Sequence, residues 1–445
     1  MKRLMDKIQL LPGKMQGLTG KIQRLTGKMQ ELTTCLFVLI LLFSTISIAW
    51  AQTPVTPKTI AVNIPSGAKQ VKVIYVNLTD WEIRPVLAKN TVGATESLAA
   101  MAARSGAVAA VNGTFFNSYS DMQPHGTLQI EGNFAHTGTN GTTMGVTTAN
   151  NLVFENLFIG IEGSINDSFE WPNNWYAWGI NHIYTDPAAV VIFTPAKGKT
   201  AGSQAATSIV VKNGEVIDIR KGIASIPPDG YVITANSGAA AQKVANMFRI
   251  GDRVGYRYTY KQVDKNGQPV NWDEVRHALG AGPRLLTAGR ITVDFKKERM
   301  TDPKLTTYKG LRSFIGVDKN GLLVMGTVGS VSVRELAEVA QKLGLYNAMN
   351  LDGGASSGLY YQGKLLTTPG RLLSNSLVVV KRTTPVVKQQ SARAKAYYGI
   401  GLCYSAWQVK DYDQAREYFN KAIEADPNGP AGRNAKEQLT KLSGK

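Results

Sequence analysis

Cysteine is almost absent from this chain. Two residues in 445, Cys35 and Cys403, exclude a disulfide-stapled scaffold and a four-cysteine zinc site. Histidine is nearly as scarce. His125, His136, His182 and His277 are the whole set, so histidine-rich metal chemistry is not expected. Charged residues make up 18% of the chain against 43% hydrophobic, which excludes a wholly disordered or coiled-coil protein. Only one run, near residues 35–50, is apolar enough to enter a membrane, and this excludes a multi-span transporter. Nucleotide-binding signatures fail as well. Gly198-Lys199-Thr200 ends like a phosphate-binding loop, but Phe193 stands where its first glycine must be. Gly280-Ala281-Gly282 begins like a dinucleotide fingerprint, and Pro283 and Leu285 break it.

What is present is a positive balance, net +18. Residues 1–51 carry +5 and residues 381–445 carry +6, leaving +7 spread over 52–380. That excess favours anionic ligands through long-range attraction. There is no arginine stripe with interleaved aromatics, so nucleic acid is not an expected partner.

The N-terminus reads as an address. Residues 36–48 form an apolar core, Lys28 and earlier basic residues precede it, and Ala49-Trp50-Ala51 supplies a small-x-small cleavage site. The run is short against the roughly 20 residues of a membrane span. Export to the periplasm or beyond is expected, with membrane tethering as the alternative if the segment is retained. Gly13–Thr19, Gly20–Thr26 and Gly27–Thr33 repeat with period seven, but a glycine in every heptad argues against a coiled coil. Residues 1–51 are therefore set aside from the fold as a signal peptide with a repetitive extension.

The remainder divides into a main domain over 58–382, a polar linker over 383–392 and a helical segment over 393–442. Residues 58–88 alternate apolar and polar with many Val and Ile, the pattern of strands. Residues 95–105 read as a helix with Leu98, Met101 and Ala102 on one face. Asn213-Gly214, Asn266-Gly267, Asn320-Gly321 and Gln362-Gly363 mark hairpins. Ser332 and Glu335 form a capping box ahead of Leu336, Val339, Ala340 and Leu343, with Gly344 as the stop. The expected class is α+β, with mainly antiparallel or mixed sheets, a few packed helices and a small C-terminal α-helical module. In that module Gly401, Tyr404, Ala415, Phe419, Ala422 and Pro427 resemble a tetratricopeptide repeat, a unit that cannot bury its own face. It implies a protein partner, self-association or docking on the main domain.

Chemistry-bearing residues cluster with glycines at strand ends: Asn112-Gly113-Thr114-Phe115-Phe116, Gly282-Pro283-Arg284, Arg312 through Asp318, Asn350-Leu351-Asp352-Gly353-Gly354-Ala355-Ser356, and Arg371 through Asn375. Glycine lets backbone approach a ligand closely. Gly354-Ala355-Ser356-Ser357-Gly358 also matches the nucleophile-elbow pattern of serine hydrolases. That elbow needs a following helix and a downstream histidine, and here a hairpin follows and His277 lies upstream.

Together these blocks resemble the phosphodiester glycosidase family over roughly 58–382. The most specific part runs from Arg312 to Asn375: Arg-x3-Gly-x-Asp, a strand, a helix, Asn-Leu-Asp-Gly-Gly-x-Ser and Arg-x3-Asn. Where the family places an arginine close after Asn181, this chain has His182. The resemblance implies hydrolysis between a sugar's anomeric carbon and a phosphate oxygen. A phosphate monoester is already a good leaving group, so such a site needs cations for phosphate and one carboxylate beside the sugar carbon. Asp352 is the expected carboxylate. Arg312 and Arg284 are the expected phosphate ligands, with Arg371 as a third. Asn112 and Asn375 would bond sugar hydroxyls or orient water, Ser356 would bond phosphate, and Gly353 and Gly354 would let substrate close. His125 is a candidate acid or phosphate donor. Phe115 and Phe116 are expected in the core, and Asp318 and Glu131 in turns. A sugar phosphate or envelope glycan is the expected substrate. The sequence specifies no metal and no cofactor, and the rival reading is a non-catalytic glycan-binding protein using the same pocket. N-terminal sequencing of the exported protein checks the address: the mature chain is expected to begin at Gln52.

Overall fold

The structure is a computed structural model. It describes residues 55–138, 141–263, 267–382, 397–398, 412–425 and 430–442. The apolar run at 36–48, the linker at 383–392, Asn266, Gly401, Tyr404 and Pro427 lie outside the described residues.

Antiparallel sheets dominate, as the α+β expectation required. The first sheet orders its strands Thr56–Ile64, Gly67–Val76, Leu323–Val331, Gly310–Asp318, Leu345–Asn350, Arg284–Thr287 and Arg290–Ile291. A second sheet orders Lys364–Thr367, Leu359–Tyr361, Ala109–Asn112, Asn375–Lys381 and Trp81–Leu87. A third runs from Val254–Gln262 through Leu152–Ile165, Thr142–Thr147, Val275–Gly280 and Leu128–Ile130 to Asn133–His136, with Asn174–Ala177 added beside Leu152–Ile165. Within a fourth, five-stranded sheet, Gly179–Ile180 and Val190–Phe193 form the one parallel pair among the described residues.

The hairpin signals are met locally. Asn213 and Gly214 take φ of 50° and 81°, and Gln362 and Gly363 take 43° and 85°. These are the left-handed values that a tight two-residue turn demands at both central positions. Asp318 is a turn residue, as expected: its Oδ1 accepts from the Asn320 and Leu322 amides.

Inward-facing residues of the first three sheets share one core. Ile74, Ile315, Met325 and Met349 meet Ile83, Val111, Leu359 and Val379, and these meet Leu128, Met144 and Leu279. The opposite face of the first sheet is covered by the helix Val333–Lys342, which opens on the expected capping box. Leu98, Met101 and Ala102 of the helix Leu98–Arg104 cover the back of the second sheet. In the C-terminal pair, Ala415, Phe419 and Ala422 of Tyr412–Ala425 pack against Ala435 and Leu442 of Pro430–Leu442.

Close contact between sheets depends on missing side chains. A Cβ on Gly126 would lie 1.7 Å from the Gly280 carbonyl oxygen and 2.2 Å from Thr114 Oγ1. Backbone cannot yield as a flexible side chain can. Gly126→Ala is expected to destabilise the protein by about 3 kcal/mol, the upper range for overpacking, and calorimetry would show a lowered melting temperature.

Candidate functional site

Three strand ends meet at one point. Gly310–Asp318 and Leu345–Asn350 are antiparallel neighbours, with Phe314 opposite Asn350. Two residues further along this register, Arg312 faces Asp352. From the second sheet, Ala109–Asn112 ends beside the same spot. The Asp352 amide donates to the Gly113 carbonyl at 3.1 Å, and Asn112 Nδ2 donates to the Asp352 carbonyl at 2.7 Å. The aspartate is thus held by backbone from two sheets.

A cavity of about 1040 Å³ opens there. Asp352, Gly353, Gly354, Ser356, Arg312, Arg371 and His125 all line it. Seven of the ten residues expected from the sequence therefore share one space. The lining also holds Arg299 and Lys304, so four cations face two carboxylates, Asp352 and Asp302. Asp302 caps the short helix Pro303–Thr306 by accepting from the Lys304 amide at 2.8 Å. An excess of cations in a low-dielectric cleft selects anionic ligands.

Asp352 is the most perturbed group in the cavity. Burial pushes its carboxyl up to about 6. The Ser356 hydroxyl, the Gly353 amide at 2.9 Å, and the charges of Arg371 and Arg312 all pull the other way. The carboxylate is therefore ionised at neutral pH yet weakly solvated, the condition of a group poised for proton transfer or nucleophilic attack.

Arg312 divides its guanidinium. Nη2 donates to the Lys304 and Tyr308 carbonyls, each at 2.6 Å, and Nε reaches the Val331 carbonyl at 3.4 Å. These bonds fix the loop that forms one wall of the cavity. A two-pronged grip on phosphate through Nη2 is not available, which corrects the expectation for this residue. Nη1 borders Gly353: a Cβ there would sit 3.2 Å from it. Arg371 Nη1 donates to Ser118 Oγ and Nη2 to Tyr119 Oη, so it joins the 113–126 loop to the site.

Three expected site residues lie outside the cavity lining. Asn112 is 1% exposed; its amide bonds the Asp352 carbonyl and its Oδ1 accepts from the Gly358 amide at 3.0 Å. Both ends are spent on backbone, so it positions Asp352 and cannot reach a sugar. Asn375 Oδ1 accepts from the Thr114 amide at 2.8 Å, and its Nδ2 donates to Ser374 Oγ. Arg284 Nη2 bonds the Phe154 carbonyl, away from the cavity. Each was singled out as a polar residue in a strand-end block that resembles the family, a position that also serves backbone clamping.

Ser356 sits in the 3-10 turn Gly354–Ser356 ahead of a strand, and His277 lies outside the cavity lining, its Nε2 3.6 Å from Glu131 Oε1. The nucleophile-elbow geometry is absent from these residues. Glu131 has φ of 50° and holds Arg276, the turn role expected of it. Phe115 and Phe116 both line the cavity, and Phe115 also packs on the central core, so the core expectation describes only one of its two contacts.

The structure adds residues that the sequence did not mark. His182, noted only as a departure, lines the cavity between His136 and Tyr184, with ring centroids 4.9 and 4.3 Å away. Its Nδ1 donates to the Thr137 carbonyl, so Nε2 keeps its lone pair, and burial lowers the imidazole pKa. His125 Nε2 donates to Asn117 Oδ1, since Asn117 Nδ2 is committed to Asp121; burial lowers this pKa too. Both rings are therefore neutral near pH 7. Tyr119 and Tyr308 come from loops and Lys304 from a one-turn helix, none within a motif, so only their neighbours reveal them.

Residues 205–380 match the family model described as phosphodiester glycosidase, and residues 394–428 match that of the tetratricopeptide repeat. Arg312, Asp352, Ser356 and Arg371 fall in the first segment. Among solved structures, a hypothetical protein from Synechocystis superposes with a TM-score of 0.65 at 24% identity, over 74% of this chain and 62% of that one. This chain thus spans less than two thirds of that relative. A putative exported protein from Burkholderia pseudomallei gives 0.59 at 19%, over 72% of this chain and 75% of that one. Both likenesses show the fold. The catalytic domain of zebrafish N-acetylglucosamine-1-phosphodiester alpha-N-acetylglucosaminidase, auto-inhibited by its pro-peptide, matches at 13% identity and TM-score 0.39, over 75% and 85% of the two chains. No curated protein sequence matches the chain. The chain is an α+β protein, one segment of which is similar to phosphodiester glycosidases and another to the tetratricopeptide repeat.

Stability reports on Asp352 independently of activity. Its carboxyl holds a proton more tightly folded, at about 6, than the ordinary 3.8 of an exposed aspartate. Its contribution is fully present below pH 3.8 and is lost as pH rises through about 6. Asp352→Asn removes that charge penalty. The variant is expected to gain about 3 kcal/mol over the wild type at pH 8, with the gap closing near pH 4. Denaturant melts at the two pH values read it out.

Proposed function

We propose that this protein is an exported hydrolase of sugar-1-phosphodiesters, of the N-acetylglucosamine-1-phosphate type, which cuts the bond between the anomeric carbon and the phosphate oxygen. The observation that carries this reading is the meeting of Asp352, Arg312 and Arg371 in one cation-rich cavity.

The chemistry fits the residues. When the anomeric C–O bond breaks, its electron pair goes to a phosphate oxygen. That oxygen needs positive charge, not a proton, and Arg371 with Arg312 Nη1 supplies charge without reorganisation. Water adds its oxygen to the anomeric carbon and gives one proton to the Asp352 carboxylate, which returns it to solvent after the phosphate leaves. The Gly353–Gly354 turn keeps the approach clear, and Ser356 and the Gly353 amide orient the carboxylate. The apolar run at 36–48 supports export, and the tetratricopeptide segment supports a protein contact or self-association beside the hydrolytic role.

Purified residues 52–445 are expected to release free sugar from N-acetylglucosamine 1-(methyl phosphate). Asp352→Asn should lower kcat by about a thousandfold, within the usual range for a lost acid–base group. Arg371→Ala should raise KM about tenfold, as loss of a charge-assisted contact does. The rate should fall below pH 6 as Asp352 takes up a proton. Tight binding of envelope glycan with no turnover of any such diester would favour the binding-protein reading instead.

A further inference from the structure

The outer face of the third sheet carries aromatic side chains that no core requires. Along Leu152–Ile165, Leu157, Ile159 and Ile161 point inward and are buried. Phe158, Gly160 and Glu162 point outward, with Phe158 56% exposed. Tyr176, opposite Glu162, is 58% exposed, and Trp178 just beyond it is 45% exposed. On the other flank, Thr259 pairs with Gly160 and Lys261 with Phe158.

These residues line a second cavity of about 610 Å³. Its floor is bare backbone at Gly160, where a Cβ would fall 2.4 Å from Thr259 Oγ1 and 3.7 Å from the Phe158 ring. The aromatic walls are interrupted by polar groups. Glu162 holds Arg257 at 2.7 Å and lies 3.4 Å from the Tyr176 hydroxyl. Lys261 has no ion pair among the described residues.

This groove adjoins the candidate active cavity across a pair of stacked rings. Tyr184 lines the groove, packs edge-on against Trp178 at 5.6 Å, and stacks on His182 at 4.3 Å. His182 lines the larger cavity. Only the thickness of two stacked rings separates the two spaces.

We propose that the groove is a second saccharide-binding site, which takes further pyranose units of a glycan chain whose phosphodiester end occupies the larger cavity. This rests on the hydrolase reading for the identity of that end. The chemistry of the groove argues for sugar by itself. A pyranose with equatorial hydroxyls presents C–H faces to flat aromatic walls and hydroxyls around its edge. Here the edge meets Glu162, Thr259 and the Tyr176 hydroxyl, and Lys261 suits an anionic substituent. A glycine floor lets a ring lie against the sheet. The site gives the protein a reason to prefer polymeric over short substrates, since remote binding energy helps to place the reacting bond.

Calorimetric titration of residues 52–445 with a chitooligosaccharide tests the groove without any turnover. Trp178→Ala and Phe158→Ser, both at exposed positions, should keep the wild-type melting temperature and weaken binding by about tenfold or more, the loss expected for an aromatic anchor. Turnover of N-acetylglucosamine 1-(methyl phosphate) should stay at the wild-type rate in both variants. No chitooligosaccharide binding by the wild type, or undiminished binding by both variants, overturns the proposal. Binding that depends on Trp178, with no hydrolysis of the short diester, leaves the groove standing and removes the hydrolase reading.

Discussion

A single pinned backbone unit underlies the candidate site. Asp352 lies where the first sheet runs out, and its amide and carbonyl are both bonded to the end of a strand in the second sheet. Peptide groups buried away from water need partners. Once the Gly113 carbonyl and the Asn112 amide supply them, the carboxylate cannot shift without separating two sheets. That rigidity permits an ionisable group to remain where burial disfavours its charge. The shared core of Ile315, Met349, Val111 and Leu377 holds the sheets in that relation.

Around this point, cations serve two purposes at once. Arg312 ties the 304–308 loop through one nitrogen and faces the cavity with another. Arg371 bonds Ser118 and Tyr119 while its charge acts on Asp352. The walls of the cavity are thus built by the same residues that set its potential. A loop held by an arginine costs less stability than one held by a buried, unpaired charge, because carbonyl oxygens satisfy the guanidinium. His182, stacked between His136 and Tyr184, is the one of these three rings that lines the cavity, and burial keeps His136 behind it neutral, lowering its pKa to about 3.

Much of the fold was legible because its signals are local. Asn213-Gly214 and Gln362-Gly363 demand turns by backbone conformation alone, and Ser332 with Glu335 satisfies helix amides within four residues. Leu98, Met101 and Ala102 lie on one helical face by spacing. Asp352, Arg312 and Arg371 could be picked out because a carboxylate and arginines embedded in glycines are costly unless used. Asn112, Asn375 and Arg284 carried the same surface pattern, yet their side chains close backbone gaps. A polar residue at a strand end looks alike in sequence whether it faces a ligand or a peptide group.

By itself, then, the sequence determined the strand and turn pattern, the α+β class and the positive balance. These follow from side-chain period, turn chemistry and charge, which act over a few residues. Only the tertiary structure decided which polar groups share a cavity, that Arg312 spends half its guanidinium on a loop, and that Phe158, Tyr176 and Trp178 line an open groove. Those outcomes depend on contacts between segments far apart in the chain, such as Asn112 with Asp352. Sheet packing brings these partners together, and no local spacing encodes which of them will meet.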